Sequence, residues 1–148
     1  MASTGANRRR GGGDGRERGA AQVRDVTHRV LVVDDDDLLR EVAKASLEMV
    51  GGWEVLTASS GSEACEVALR EQPDALLLDV MMPGMDGPST VVALRGEPAT
   101  REIPVIFLTA KVGGDGHQQW GHLDVAGVIP KPFDPMSLPV EVAQLLGW

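Results

Sequence analysis

A chain of 148 residues, 43% of them hydrophobic, is long enough for one domain with a core of its own. Its charge is segregated: residues 1–27 hold six arginines (Arg8, Arg9, Arg10, Arg16, Arg18 and Arg24) against Asp14, Glu17 and Asp25, a net +3, whereas the remainder holds 8 basic and 19 acidic residues, a net −11. Such an acidic surface argues against binding nucleic acid, the single Cys65 cannot close an internal disulfide, and no apolar run approaches the roughly 18 residues of a membrane span, so residence in the cytoplasm is expected.

Residues 1–27 are rich in Gly, Arg and Ala and have almost nothing to bury, which predicts a disordered basic tail ahead of one domain over 28–148. The triple arginine at 8–10 could suggest a twin-arginine export signal, but GGGDGRERGA follows where an apolar segment would be required, so none is expected. VLVV (30–33) reads as a buried strand. Leu39, Val42, Ala43, Ser46, Leu47 and Val50 then recur at helical spacing until Gly51 and Gly52. EVLTA (54–58) is a second strand, and Ser60 followed by Glu63 has the spacing of a capping box in front of a helix carrying Ala64, Val67 and Ala68. Cys65 falls in that helix and reads as a small buried hydrophobe. ALLL (75–78) is strand three, and a turn at Pro83 and Gly84 leads to a short helix near 88–95, started by Asp86 or Gly87. VIFL (105–108) is strand four. A polar helix is expected within 115–124, GVI (127–129) is a short fifth strand, and a last helix runs to about Leu146, docked by Leu138, Val142, Leu145 and Leu146 with Pro139 in its first turn. Continuous apolar strands alternating with helices predict an α/β fold with a parallel sheet covered on both faces, and Pro130 makes strand five an edge.

The polar residues gather at the strand ends. Strand one ends at Asp34 and Asp35, strand three at Asp79 and strand four at Thr109, and Lys131 follows strand five. In a parallel sheet these ends open on one edge, where ligands of open α/β folds bind. Carboxylates meeting there repel one another unless a cation sits among them, and hard oxygen ligands with room for water favour Mg²⁺. A lysine and a threonine hydroxyl beside them can hold an anion, so the set describes a phosphoryl-transfer site.

VLVVDDDDLLR, PDALLLDVMMPGMDG, IPVIFLTAK and GVIPKPFDP, in this order, resemble the receiver domain of bacterial two-component response regulators over about residues 28–146. The resemblance implies a doubly wound five-stranded sheet of flavodoxin-like order 2-1-3-4-5, with Asp79 as phosphoacceptor and a sensor histidine kinase or histidine phosphotransfer protein as donor. It implies that Asp35 ligates Mg²⁺ directly, Asp34 directly or through water, and Asp79 and the Met81 carbonyl complete the set. Lys131, expected before a cis bond to Pro132, would pair with the phosphoryl oxygens, joined by the Thr109 hydroxyl and the Ala110 N–H. Asp36 and Asp37 are expected to start a helix rather than line the pocket. Met81 and Lys111 would position the hydrolytic water poorly and lengthen the phosphorylated state.

Two departures stand out. Receivers commonly carry an aromatic in strand five where this chain has Val128, with Phe133 only after the lysine, so the resemblance does not extend to output through that ring. Only 17 residues follow Lys131, so no DNA-binding domain is expected and output would run through another protein. Trp120 reads as a packing or partner residue, and His117 and His122 as solvent-exposed. Two alternatives remain. Asp34-x-Asp36 after a strand also resembles the nucleophile motif of haloacid dehalogenase-type phosphatases, which would make Asp34 a nucleophile, although Leu38 stands where those enzymes have Thr or Val and Asp79 would lack a role. The other is a receiver-shaped interaction module that is never phosphorylated. In the receiver reading the protein is a signalling switch rather than a turnover enzyme.

Overall fold

The computed structural model describes residues 27–110 and 123–148. Within them strands and helices alternate in chain order: β1 (Arg29–Val33), α1 (Asp37–Ala45), β2 (Glu54–Ala58), α2 (Gly61–Glu71), β3 (Ala75–Asp79), α3 (Gly87–Gly96), β4 (Val105–Thr109), β5 (Gly127–Pro130) and α4 (Leu138–Leu146). Each strand pairs in parallel with its neighbours in the order β2-β1-β3-β4-β5, the flavodoxin-like order expected. The polar helix expected within 115–124 falls almost wholly outside the described residues, as do Lys111, His117, Trp120 and His122.

Alternation along the strands divides the core in two. Leu31, Val33, Leu76, Leu78, Val105 and Phe107 pack with Ala64, Val67 and Ala68 of α2 and Val91 and Leu94 of α3. Val30, Val32, Leu77, Ile106, Leu108 and Ile129 face the other way, onto Ala43 of α1, Leu47, and Leu138 and Val142 of α4. Burying each such Leu, Ile or Val stabilises the fold by roughly 1.5–3 kcal/mol, so both faces of the sheet contribute. Pro130 ends the edge strand, where its missing N–H costs no ladder bond. A Cβ at Gly127 would lie 2.6 Å from Leu145 Cδ2, so glycine lets α4 lie directly on β5.

The helix ends follow the capping residues, with two adjustments. Asp36 caps α1 by accepting from the Leu38 and Leu39 N–H groups (3.0 and 3.2 Å). The helix continues as a π-helical turn over Ser46–Val50, and this wider turn carries Val50 out to solvent although its spacing had placed it on the apolar face. Ser60 caps α2 through the Glu63 N–H (3.1 Å), but Glu63 returns the bond to the Ser59 N–H (2.8 Å) and hydroxyl (3.0 Å) instead of to Ser60. Those bonds hold the Glu63 carboxyl below its usual range. Asp86 caps α3 through the Ser89 N–H (2.8 Å). Cys65 is half-buried against the α2–α3 core rather than fully enclosed, and burial, with Glu66 nearby, raises its thiol pKa.

Both ends of the domain meet in one aromatic cluster. His28, just before β1, stacks on Trp148 with ring centroids 3.6 Å apart, and Trp53 meets Trp148 edge-on at 5.1 Å. No helix among the described residues is long and apolar enough to cross a membrane.

Candidate functional site

Because all five strands are parallel, their C-terminal ends share one edge, and strand alternation decides which side chains meet there. Asp34 stands two residues past Val32, Asp79 two past Leu77 and Lys131 two past Ile129, so all three extend rows facing α1 and α4. Thr109 extends the row of Val105 and Phe107 on the other face. The rows converge as alternation requires: Lys131 Nζ lies 2.9 Å from Asp34 Oδ2 and 3.2 Å from Asp79 Oδ1. The Lys131–Pro132 bond is cis. Thr109 is buried at the end of β4, its carbonyl accepting from the Lys131 N–H (2.8 Å), and Ala110 follows it exposed.

The carboxylates are held from the backbone as well. The Asp36 N–H donates to Asp34 Oδ1 (2.9 Å), and the Met81 N–H donates to Asp79 Oδ1 (3.2 Å). Met81 itself is exposed, whereas Met82, the next residue, is buried in the core. Asp35 is exposed, yet one carboxylate oxygen from each of Asp34, Asp35 and Asp79 lies within 4.8 Å of the others.

Charge is poorly balanced in this pocket. Burial, and then the Asp34 charge, push the Asp79 carboxyl up to about 6, with Lys131 and the Met81 N–H pulling the other way. Burial opposes the charge on Lys131, but Asp34 and then Asp79 outweigh it and raise its pKa. Asp34 Oδ2 is paired by charge with Lys131, yet no donor meets that buried oxygen in hydrogen-bonding geometry. An under-satisfied oxygen beside two further carboxylates, with one ammonium among them, is a donor set that fits a hard divalent cation such as Mg²⁺. A hollow of about 600 Å³ lies elsewhere, between Arg95, Pro104 and Asp124 beside the starts of β4 and β5, at the opposite edge of the sheet. It is not the reactive site, since among the described residues its lining contains none of Asp34, Asp35, Asp79, Thr109 and Lys131.

The structure thus brings together Asp34, Asp35, Asp79 and Lys131 and places Thr109, Ala110 and Met81 at the same edge of the sheet. It adds Arg40, which sequence reading passed over: its guanidinium donates to the Asp34 carbonyl (2.7 Å). The available signal was the i,i+3 spacing from Asp37 to Arg40 at a helix start, which ordinarily marks no more than a surface ion pair.

Comparison with known proteins agrees with this geometry. The response regulator receiver domain family matches residues 30–143. The response regulator PleD of Caulobacter vibrioides is 39% identical over 117 residues, covering 79% of this chain and 26% of PleD. The phosphate regulon transcriptional regulatory protein PhoB of Pseudomonas aeruginosa is 36% identical over 117 residues, 79% of this chain and 51% of PhoB. The chain therefore spans about a quarter to a half of the length of these curated relatives. Among solved structures, the chemotaxis response regulator CheY4 of Vibrio cholerae superposes with a TM-score of 0.75 at 30% identity, over 81% of this chain and 99% of that one. A putative response regulator from Chloroflexus aurantiacus gives 0.75 at 33% identity, over 83% and 100%. With the fold, the strand-end carboxylates and the family match in agreement, the chain belongs to the response regulator receiver domain family.

Proposed function

We propose that this receiver accepts a phosphoryl group on Asp79 from a phosphohistidine of a sensor histidine kinase or a histidine phosphotransfer protein, and signals onward by binding another protein. The observation that carries the reading is the meeting of Asp34, Asp35 and Asp79 oxygens within 4.8 Å, with Lys131 Nζ 3.2 Å from Asp79. An Asp79 carboxylate oxygen attacks phosphorus, the phosphorus–nitrogen bond to the donor imidazole breaks, and an aspartyl phosphate forms. Mg²⁺, held by the carboxylates of Asp34, Asp35 and Asp79 and the carbonyl of Met81, would neutralise charge on the phosphoryl oxygens. Lys131 supplies a fixed positive charge to the same oxygens, and the Thr109 hydroxyl and Ala110 N–H supply hydrogen bonds. Asp79 must be ionised to attack, and Lys131 and the metal favour that state.

In this reading the switch occupies residues 28–148 in the cytoplasm, the basic stretch 1–27 stands outside it, and the protein turns over no other substrate. The phosphatase alternative would need Asp34 as nucleophile. Both Asp34 oxygens already face a partner, the Asp36 N–H and Lys131, whereas at Asp79 only Oδ1 faces the Met81 N–H and Lys131, which makes Asp34 the poorer candidate. The test is incubation with Mg²⁺ and a small acyl phosphate, followed by assay for an acid-stable, alkali-labile label. Asp79→Asn should abolish the label. A label that survives in Asp79→Asn and disappears in Asp34→Asn would favour the phosphatase, and no label on the wild type would favour the module that is never phosphorylated.

A further inference from the structure

Four contacts fix Asp34, and one of them also governs its neighbour. Its N–H donates to the Ala58 carbonyl of β2 (3.2 Å), its carboxylate faces the Asp36 N–H and Lys131, and its carbonyl accepts from Arg40 (2.7 Å). That carbonyl belongs to the peptide unit joining Asp34 to Asp35. A peptide unit is planar, so holding its oxygen fixes the plane that carries the Asp35 Cα. Among the described residues no hydrogen bond or ion pair holds the Asp35 carboxylate, so its aim toward Asp34 and Asp79 depends on its backbone. The second end of the Arg40 guanidinium is anchored in turn by Asp37 Oδ1 at 2.5 Å, and the arginine side chain is largely buried. A planar fork spanning a carbonyl and a carboxylate is a geometry that lysine cannot reproduce.

We propose that Arg40 is a positioning residue for the acidic pocket, clamping the Asp34–Asp35 peptide so that the Asp35 carboxylate points at the bound cation. This rests on the reading of Asp34, Asp35 and Asp79 as Mg²⁺ ligands. It predicts an effect opposite in sign to simple electrostatics. Arg40 is a positive charge beside a cation site, so by Coulomb's law alone its removal tightens Mg²⁺ binding, and its replacement by lysine changes little. A clamp behaves otherwise: loss of an outer partner that orients a ligand commonly weakens metal binding roughly 10- to 100-fold.

The experiment is calorimetric titration of the full chain with MgCl₂, comparing wild type, Arg40→Lys and Arg40→Ala, with thermal melts in EDTA to establish that each variant is folded. Both variants should bind Mg²⁺ roughly tenfold or more weakly than wild type. Binding as tight as wild type, or tighter, in either folded variant overturns the proposal. Should Arg40→Ala fail to fold, Arg40→Lys decides alone, because a charge effect predicts no change there. A wild-type chain that binds no Mg²⁺ overturns the ligand assignment together with this role, whereas normal wild-type binding that the variants share overturns the role of Arg40 only.

Discussion

The two buried carboxylates and one lysine predict that the metal-free protein is less stable than it could be, and that Asp79 is the reason. Its carboxyl rises from the ordinary 3.8 to about 6 because burial and Asp34 disfavour the charge more than Lys131 supports it. A carboxyl raised in the folded state stabilises the fold while protonated, and that contribution is lost as pH climbs through about 6. At about 1.4 kcal/mol per pKa unit the displacement amounts to about 3 kcal/mol, and solvent reaching the pocket mouth reduces the expected cost to about 1–2 kcal/mol. Asp79→Asn removes the charge and keeps the shape. In EDTA at pH 8 the variant should therefore melt about 4–8 °C above wild type, the gap should narrow near pH 5, and it should close near pH 4. Circular dichroism melts across that range measure it, and added Mg²⁺ should raise the wild-type midpoint more than the variant's. A variant that melts at or below wild type at pH 8 in EDTA, or a gap that does not vary with pH, would refute the account of the pocket as electrostatically strained.

Lys131→Met leaves Asp34 and Asp79 facing each other without a cation, and in EDTA at pH 8 it should cost about 2–4 kcal/mol in urea unfolding, with partial recovery in Mg²⁺. Gly87→Ala would set a Cβ 2.7 Å from the Asp79 carbonyl oxygen and 2.9 Å from the Val80 Cα, backbone atoms that cannot swing aside. It should destabilise by about 1–3 kcal/mol in the same assay, and unchanged stability would show that α3 moves off β3 freely. Trp148→Ala removes the stack on His28 and the edge contact with Trp53, so a loss of about 1–2 kcal/mol is expected in thermal melts.

How much of this was legible without coordinates depends on the residue. The three central strands could be read because a parallel sheet buried on both faces demands an unbroken apolar run, and VLVV, ALLL and VIFL satisfy that demand. Parallel pairing also followed from the alternation of strands with helices, and it places every strand end on one edge and so collects Asp34, Asp79, Thr109 and Lys131, whereas the order of the strands came from the family resemblance. Side-chain geometry beyond the strands was less accessible. Val50 fits helical spacing, and nothing in the residues announces the π turn that displaces it. The Glu63 return bond goes to the Ser59 N–H and hydroxyl, one residue ahead of the Ser60 whose oxygen accepts from the Glu63 N–H, and spacing alone does not separate two adjacent serines. The arrangement around Val128 shows the same limit. Its cross-strand partner is Phe107, a fully buried ring on β4 whose Cε1 would meet a Cβ at Gly87 at 3.2 Å, so aromatic bulk beside α3 comes from the neighbouring strand.

The four consecutive aspartates show why composition at a site and organisation of a site are read differently. Two-residue alternation puts Asp34 in the row that meets Lys131 and Asp79, and the helix start gives Asp36 the capping bonds to Leu38 and Leu39. Both roles follow from local rules of one strand and one helix. The division of the run into a chemical pair and an architectural pair is nevertheless too clean. Asp37, 88% exposed, holds one end of the same guanidinium whose other end holds the Asp34 carbonyl, while the Asp36 N–H, not its side chain, supports Asp34 Oδ1. A capping substitution at Asp36 leaves that backbone donor in place, whereas a change at Asp37 frees the arginine that orients the peptide leading to Asp35. The residue farther from the pocket is therefore the one more closely tied to it, because the connection runs through a side chain six residues from Asp34 and not along the chain.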